Sequence, residues 1–430
     1  MKPAIAQSTL LCLPLLAYAL VTAAVPDRST PRSSLDEYAL EYAGLVEDLG
    51  ELDAGSVDFQ IADLRARARI RATSLQAIRD RSRLLASHLR DTYERSPVTG
   101  ARARHLAGQL NALAWRSAQL GGEPLTFEQE LRRLFALDAG QIGTRADDAS
   151  IRTRDELERR LPGNGPLSHR LADYHRRFIV SRGRLDAVFT AAVEACRSQT
   201  LRLMTLPAGE RVTIEYVAGQ PWSAYSTYRG GYHSLVRVNR EAAMTVGQAL
   251  NLACHEGYPG HHVYNSLRDQ RFVHERAWSE MAALPLFSPE GFRAEAAASA
   301  AAAIVFQPAE RVDVLREKLF PLAGLDPREA EHYVQVDDLV NSLAGETTAI
   351  VAQYLAGALS ARDAANELQR RALMEHPGPL RAYLERYRAY ALAYTWGRER
   401  LLAGLGTLKD RPAYLTTLMT SSEWDLGRQQ

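Results

Sequence analysis

Three of the chain's eleven histidines fall within eight residues, His255-Glu256-Gly257-Tyr258-Pro259-Gly260-His261-His262. Neutral imidazole is the commonest protein ligand for zinc and related divalent ions. A glutamate beside a ligand histidine is the pairing by which zinc peptidases hold and deprotonate a water at the metal. The usual spacing is HExxH on an unbroken helix, which puts both imidazoles on one face. Here Pro259 occupies the position four residues after His255, and the next histidine comes six residues after it. On a straight helix, residues six apart are separated by roughly 240° and about 9 Å of rise, so they would not meet at one ion. Proline within a helix removes a hydrogen bond and clashes with the carbonyl four residues back, here that of His255. Gly260 tolerates backbone angles closed to other residues. Pro259-Gly260 therefore predicts a kink or wide turn that swings His261 back towards His255. His262 lies near the His255 face of a straight helix and is the competing second ligand.

A histidine cluster can equally be a polar surface patch or a satisfied core network. The preceding residues favour a metal. Thr245-x-x-Gln248 reads as a capping box opening a helix through Ala249, Leu250, Leu252 and Ala253. On so apolar a helix, unpaired imidazoles and a carboxylate would be costly. A catalytic zinc site takes three protein ligands and leaves one position for water. The downstream carboxylates available as third ligand are Glu275, Glu280, Glu290, Glu295 and Glu346. Glu290 falls in a first helical turn, where compensation of the helix dipole explains it without a function. Glu295 is one and a half turns in and is followed by small residues, which leave room for an inward carboxylate.

The elements that must position these residues are mostly helices. Leu35, Tyr38, Tyr42, Leu45 and Leu49 form one apolar stripe. Residues 57–93 read as one or two long helices, and further helical patterns cover 100–119, 127–137 and 167–204. Pro162-Gly163-Asn164-Gly165-Pro166 marks a loop. Two stretches alternate with period two, Arg211–Val217 and Tyr232–Asn239, and predict a small hairpin just before the motif helix. A strand there could pair with a substrate backbone. Ser288-Pro289-Glu290 starts a helix with a capping hydroxyl and proline at its first position. That helix continues through Glu295 into Ala296–Ala303, whose small side chains permit close packing. Helical patterns then fill 308–318, 327–358, 361–374 and 378–405. The expected fold class is mainly α, with one small antiparallel β element before the motif helix. The expected organisation is a signal segment over 1–24, a helical region over 25–205 and a catalytic region over 206–430, the last two forming one helical fold around a cleft.

Lys2, the apolar run Leu10–Val21 and the small residues Ala23-Ala24 read as a secretory signal and not as a membrane span. Cys12 lacks the small preceding residue of a lipoprotein cleavage site, so no membrane anchoring is expected. Of 52 basic residues, 51 remain once Lys2 is removed, against 51 acidic ones. This balance argues against a nucleic-acid partner. Cys196 and Cys254 could pair in an oxidising compartment or remain two buried thiols. Cys254 points about 100° away from His255 on a helix and is read as packing, not as ligand.

The segment Cys254–Val263 resembles the signature of a large, mostly bacterial family catalogued as a domain of unknown function. Its HExxPGH motif suggests a helical zinc metallopeptidase of the gluzincin type. The resemblance continues through Leu286–Pro289, Ala294-Glu295, Phe320–Pro327, Tyr387–Tyr390 and Ala393–Gly397, and so covers about 250 to 400. It implies His255, His261 and Glu295 as ligands of Zn2+ and Glu256 as the base that activates water. A tyrosine or histidine normally shares the developing oxyanion charge in such enzymes. Tyr394 is the candidate, with His262 and His233 behind it. The chain departs from the family pattern after Glu295, where nearly every residue is alanine.

The expectation is an exported zinc-dependent peptidase acting on small peptides. The alternatives are a non-catalytic exported binding protein with a structural metal, favoured by the alanine run, and a metal-dependent hydrolase of non-peptide amides or esters.

Overall fold

The computed structural model describes residues 34–61, 72–93, 95–97, 99–143, 148–406 and 411–421. The expected signal segment, Cys12 and part of the helix expected over 57–93 lie outside them. The fold is mainly α. The described residues cluster as one compact unit. No described helix is long and apolar enough to cross a membrane.

The chain begins with α1 (Ser34–Leu52), a short strand β1 (Val57–Gln60), α2 (Leu75–Tyr93), α3 (Gly100–Leu120), α4 (Phe127–Phe135) and α5 (Asp148–Arg160). The stripe read on α1 is its buried face: Tyr42, Leu45 and Leu49 pack against Leu85, Leu89, Leu106 and Leu110. β1 replaces helix at the start of 57–93. It pairs antiparallel with β5 (Ala283–Pro285), so a tertiary partner and not local propensity decides its state.

The helix expected over 167–204 is two, α6 (Leu167–Arg176) and α7 (Leu185–Leu203). The break has a purpose. Val180 N–H donates to the Met244 carbonyl and Val246 N–H to that of Phe178, so extended backbone braces the entry to the motif helix.

Between α7 and that helix lie β2 (Arg211–Val217), β3 (Ala224–Tyr228) and β4 (His233–Asn239), in the sheet order β2-β4-β3. The two stretches expected to form a hairpin pair in parallel, from Arg211 opposite His233 to Val217 opposite Asn239. The antiparallel partner of β4 is β3, within the supposed loop. Alternation fixes which stretches are extended but not which neighbour each one takes.

α8 (Val246–Glu256) carries the first half of the motif and α9 (His261–Arg268) the second. The predicted capping box is present: Gln248 N–H donates to the Thr245 hydroxyl, and the Gln248 side chain returns to the Thr245 N–H. α10 (Pro289–Val305) starts as predicted, with Gly291 N–H donating to the Ser288 hydroxyl. α11 (Pro308–Val314) and α12 (Phe320–Ala323) follow. The stretch 327–358 is broken after Asn341 into α13 (Ala330–Asn341) and α14 (Ala344–Leu355), then comes α15 (Ala361–Arg371). The stretch 378–405 breaks at Arg388, whose φ is 47°, between α16 (Gly378–Tyr387) and α17 (Trp396–Gly406). α18 (Arg411–Thr420) ends the described chain.

α10 is the central helix. Ala296, Ala297, Ala300 and Ala301 are all buried where α8, α9 and α17 pack on it. A Cβ on Gly397 of α17 would sit 2.9 Å from the Ala296 methyl, so alanine on one helix and glycine on the other set the close approach. The alanine run therefore has a packing reason. It lets three helices converge beside Glu295.

Candidate metal centre

The Gly257–Gly260 turn separates α8 from α9, and it decides which histidine returns to His255. Gly260 N–H donates to the Cys254 carbonyl. A Cβ there would lie 1.8 Å from the His255 carbonyl oxygen, so only glycine fits. The need is close approach of backbone to backbone, not a left-handed φ, since Gly260 has φ −70°. The result is a sharp reversal that brings the His255 and His261 rings to 4.8 Å between centroids, edge to face.

Glu295 on α10 completes the group. His255 Nε2 lies 3.2 Å from Glu295 Oε1, and His261 Nε2 lies 3.5 Å from Glu295 Oε2. One ligand atom from each of the three residues falls within 4.8 Å of the others. Two ligands at zinc bond length in a tetrahedral site are about 3.3 Å apart, so the two carboxylate–imidazole separations suit such an ion. The other four acidic candidates are satisfied elsewhere. Glu275 pairs with Arg271, Glu280 with Arg102, and Glu346 with Arg154 and Arg371. Glu290 is not a solvated dipole-compensating residue. It is buried between Arg268 and Arg293 and accepts the Tyr264 hydroxyl proton. Arginine partners mark those acids as structural, whereas Glu295 meets two imidazoles.

The electrostatics follow from that packing. Burial alone would raise the Glu295 carboxyl, but His255 and His261 hold it far below the usual carboxylate range. Burial opposes the charge on His261. The hydrogen bond and charge of Glu295, with Glu256 and Asp58 behind it, outweigh burial and raise the imidazole to about 9. The Tyr390 hydroxyl donates to Glu295 Oε2 at 3.0 Å and fixes its orientation. Tyr390 thus supports the ligand from outside the group, as second partners do at metal sites.

Glu256 is 5% exposed, and its side chain makes no hydrogen bond or ion pair among the described residues. Its charge is felt at His261, Asp58, Tyr225 and Tyr394, which places it beside the cluster. Tyr394 stacks parallel to His255, with ring centroids 6.1 Å apart and planes 6° from parallel. The Tyr383 hydroxyl donates to that of Tyr394 at 3.3 Å, and Tyr394 and His255 both line a cavity of about 390 Å³. Burial, then the charge of Glu295, raises the Tyr394 phenol well above its ordinary value and keeps it a donor.

His262 is turned away. Its Nδ1 meets the Ser234 hydroxyl and its Nε2 meets Glu210, both at 2.9 Å, with no exposure. His233 is on β4, with Nε2 3.0 Å from the Thr213 hydroxyl and outside the cluster. Neither weaker donor candidate is placed beside Glu295. Cys254 points into the core and forms a disulfide with Cys196, which ties α8 to α7.

Two residues were missed. Asp58 on β1 is drawn to the site by the β1–β5 pairing. Burial raises its carboxyl to about 6, opposed by the charge of His261 and reinforced by Glu295 and Glu256. The Tyr225 hydroxyl on β3 donates to it at 3.4 Å. No local motif marks either residue, because strand pairing brings them together across a sequence separation of 167 residues.

No family model matches the chain, and no curated protein matches it. A solved structure from Colwellia psychrerythraea, described as a "putative lipoprotein", is similar in fold, with a TM-score of 0.51 at 15% identity over 81% of this chain and 67% of that one. A second, a "putative lipoprotein of unknown function" from Shewanella oneidensis, aligns at a TM-score of 0.41 and 12% identity over 84% and 73% of the two chains. What this chain shares with the Colwellia protein is its fold.

Proposed function

We propose that the chain is a zinc-dependent hydrolase acting on short peptides, with His255, His261 and Glu295 holding the ion. The observation that carries this reading is the meeting of Glu295 with two imidazoles delivered by the turn at Gly260. Zinc bound there supplies a Lewis acid and lowers the pKa of water to about 7. The remaining work belongs to side chains. Glu256, buried and unpaired, accepts a proton from the attacking water and returns it to the leaving amine. Tyr394 donates its hydroxyl hydrogen bond to the carbonyl oxygen as negative charge develops. Tyr390 keeps Glu295 in place.

The resemblance around Cys254–Val263 supports a peptidase over other amide hydrolases. Export is part of the proposal. It rests on the apolar N-terminal run and on a buried disulfide of the kind that persists in oxidising compartments. The description of the Colwellia protein is compatible with it. Mass spectrometry of the N-terminus of the native protein checks it: a chain starting near Val25 supports export, and an intact Met1 opposes it.

The deciding experiment is the metal content of the purified protein supplied with zinc, beside Glu295→Ala, His261→Ala and His262→Ala. One zinc per chain is expected, lost in the first two variants and kept in the third. Absence of zinc from the unsubstituted protein defeats the reading.

A further inference from the structure

The cavity beside His255 continues away from the cluster along one face of α8 and of α10. On α10 it is floored by Ser299, Ala302 and Ala303, which follow Glu295 at helical spacing. The alanine methyls leave this path open. Two guanidiniums also line it, Arg398 of α17 and Arg311 of α11.

Arg398 is half-buried, and its guanidinium makes no hydrogen bond or ion pair among the described residues. Arg311 pairs with Asp338, and Asp337 is 3.9 Å away. Its Nε is nonetheless buried without a partner. The two cations repel each other, and the carboxylates felt at Arg398 are those of Glu399, Asp337 and Asp338. The buried Arg311 Nε is a desolvated donor without an acceptor, which is costly and which native structures rarely keep idle. The Arg398 guanidinium is open to the cavity and lacks a side-chain partner. Arginine presents a planar fork that matches a carboxylate and binds it through two parallel hydrogen bonds. Arg398 and Tyr394, four residues apart in sequence, line the same cavity as His255, so the open guanidinium and the hydroxyl beside the cluster face one space.

We propose that this cavity is the subsite for a free carboxylate on the substrate, held by Arg398 with Arg311. The chain is thereby directed to bonds near the carboxyl end of a peptide. The assignment deepens the peptidase reading and rests on it for the reaction, although the binding site is testable without turnover.

The test is calorimetric binding to the zinc-supplied Glu256→Gln protein, with acetyl-trialanine as free acid and as amide. The acid is expected to bind about 10–100-fold tighter. Arg398→Gln should remove that preference while leaving amide affinity, zinc content and melting temperature unchanged. If Arg398→Gln fails to fold, Arg398→Lys keeps the charge, loses the fork, and should lose most of the preference. A third probe, acetyl-Ala-Ala-Glu amide, separates the sources of carboxylate. Binding like the acid assigns the subsite to an acidic side chain, and binding like the amide assigns it to the chain terminus. Equal binding or no binding of acid and amide overturns the proposal, as does a preference that survives loss of both Arg398 and Arg311. Cleavage is scored separately on the unsubstituted protein. Failure to hydrolyse any peptide sinks the peptidase reading but not a demonstrated carboxylate preference.

Discussion

Glu256 and His262 are neighbours of metal-site candidates, yet their surroundings assign them opposite roles. Glu256 is buried and unpaired, so replacing it should affect chemistry more than folding. Glu256→Gln is expected to retain zinc and lose at least 10²–10⁴-fold in kcat. Tyr394→Phe should lose about 10²-fold with little change in KM. Both are read from peptide hydrolysis kinetics, and full activity in Glu256→Gln would remove it as the base. His262 is held by Ser234 and Glu210 in the core. Burial opposes charge on it, so it serves as a neutral structural group. At this scale a histidine's meaning is set by its partners, which its place in a motif does not reveal.

Among elements, the turn between α8 and α9 and the first turn of α10 carry the most constraint. Gly260→Ala would drive a methyl into the His255 carbonyl, so the turn must open. The expected result is loss of zinc and a cost of about 3 kcal/mol, read by metal analysis and thermal melting. Glu290 anchors the start of α10. Burial would raise its carboxyl, but Arg268 and Arg293 hold it down to about 2, against an ordinary 4.5. Because the folded value is depressed, its stabilisation is complete above pH 4.5 and is lost as pH falls towards 2. Glu290→Gln leaves two buried guanidiniums short of a counter-charge and should cost about 3–5 kcal/mol at pH 7. The difference in melting temperature between the two proteins should narrow at pH 3. An unchanged gap would show that Glu290 does not supply this dependence. The Cys196–Cys254 bridge closes a 58-residue separation, worth about 4 kcal/mol in the chain-entropy model. Reduction should lower the melting temperature correspondingly.

Over the whole molecule, the cluster depends on both halves of the chain. The motif helix packs in one core with Phe178, Val188, Phe189 and Ala192, and Asp58 reaches the site through β1. A fragment of residues 206–430 alone is therefore expected to show no cooperative melt and to bind no zinc stoichiometrically. A folded, zinc-binding fragment would show that residues 206–430 do not need the N-terminal helices.

Local signals determined much of this protein. The Thr245 capping box, the Ser288-Pro289 helix start, the apolar stripe of α1 and the Pro-Gly interruption of the motif each act within a few residues, and each appears as read. The His255–His261 convergence belongs with them, because one turn produces it. Tertiary structure decided the rest. Only the packing of α10 selects Glu295, by leaving it with imidazoles while the other candidates meet arginines. The parallel pairing of β2 with β4, the strand at Val57–Gln60 and the break between α6 and α7 depend on partners more than forty residues away or on sheet neighbours that alternation does not name. Asp58, Tyr225 and the open guanidinium of Arg398 were illegible for the same reason. Side-chain type and spacing report what a residue can do locally, but a distant partner's charge and the space beside it decide whether it does so.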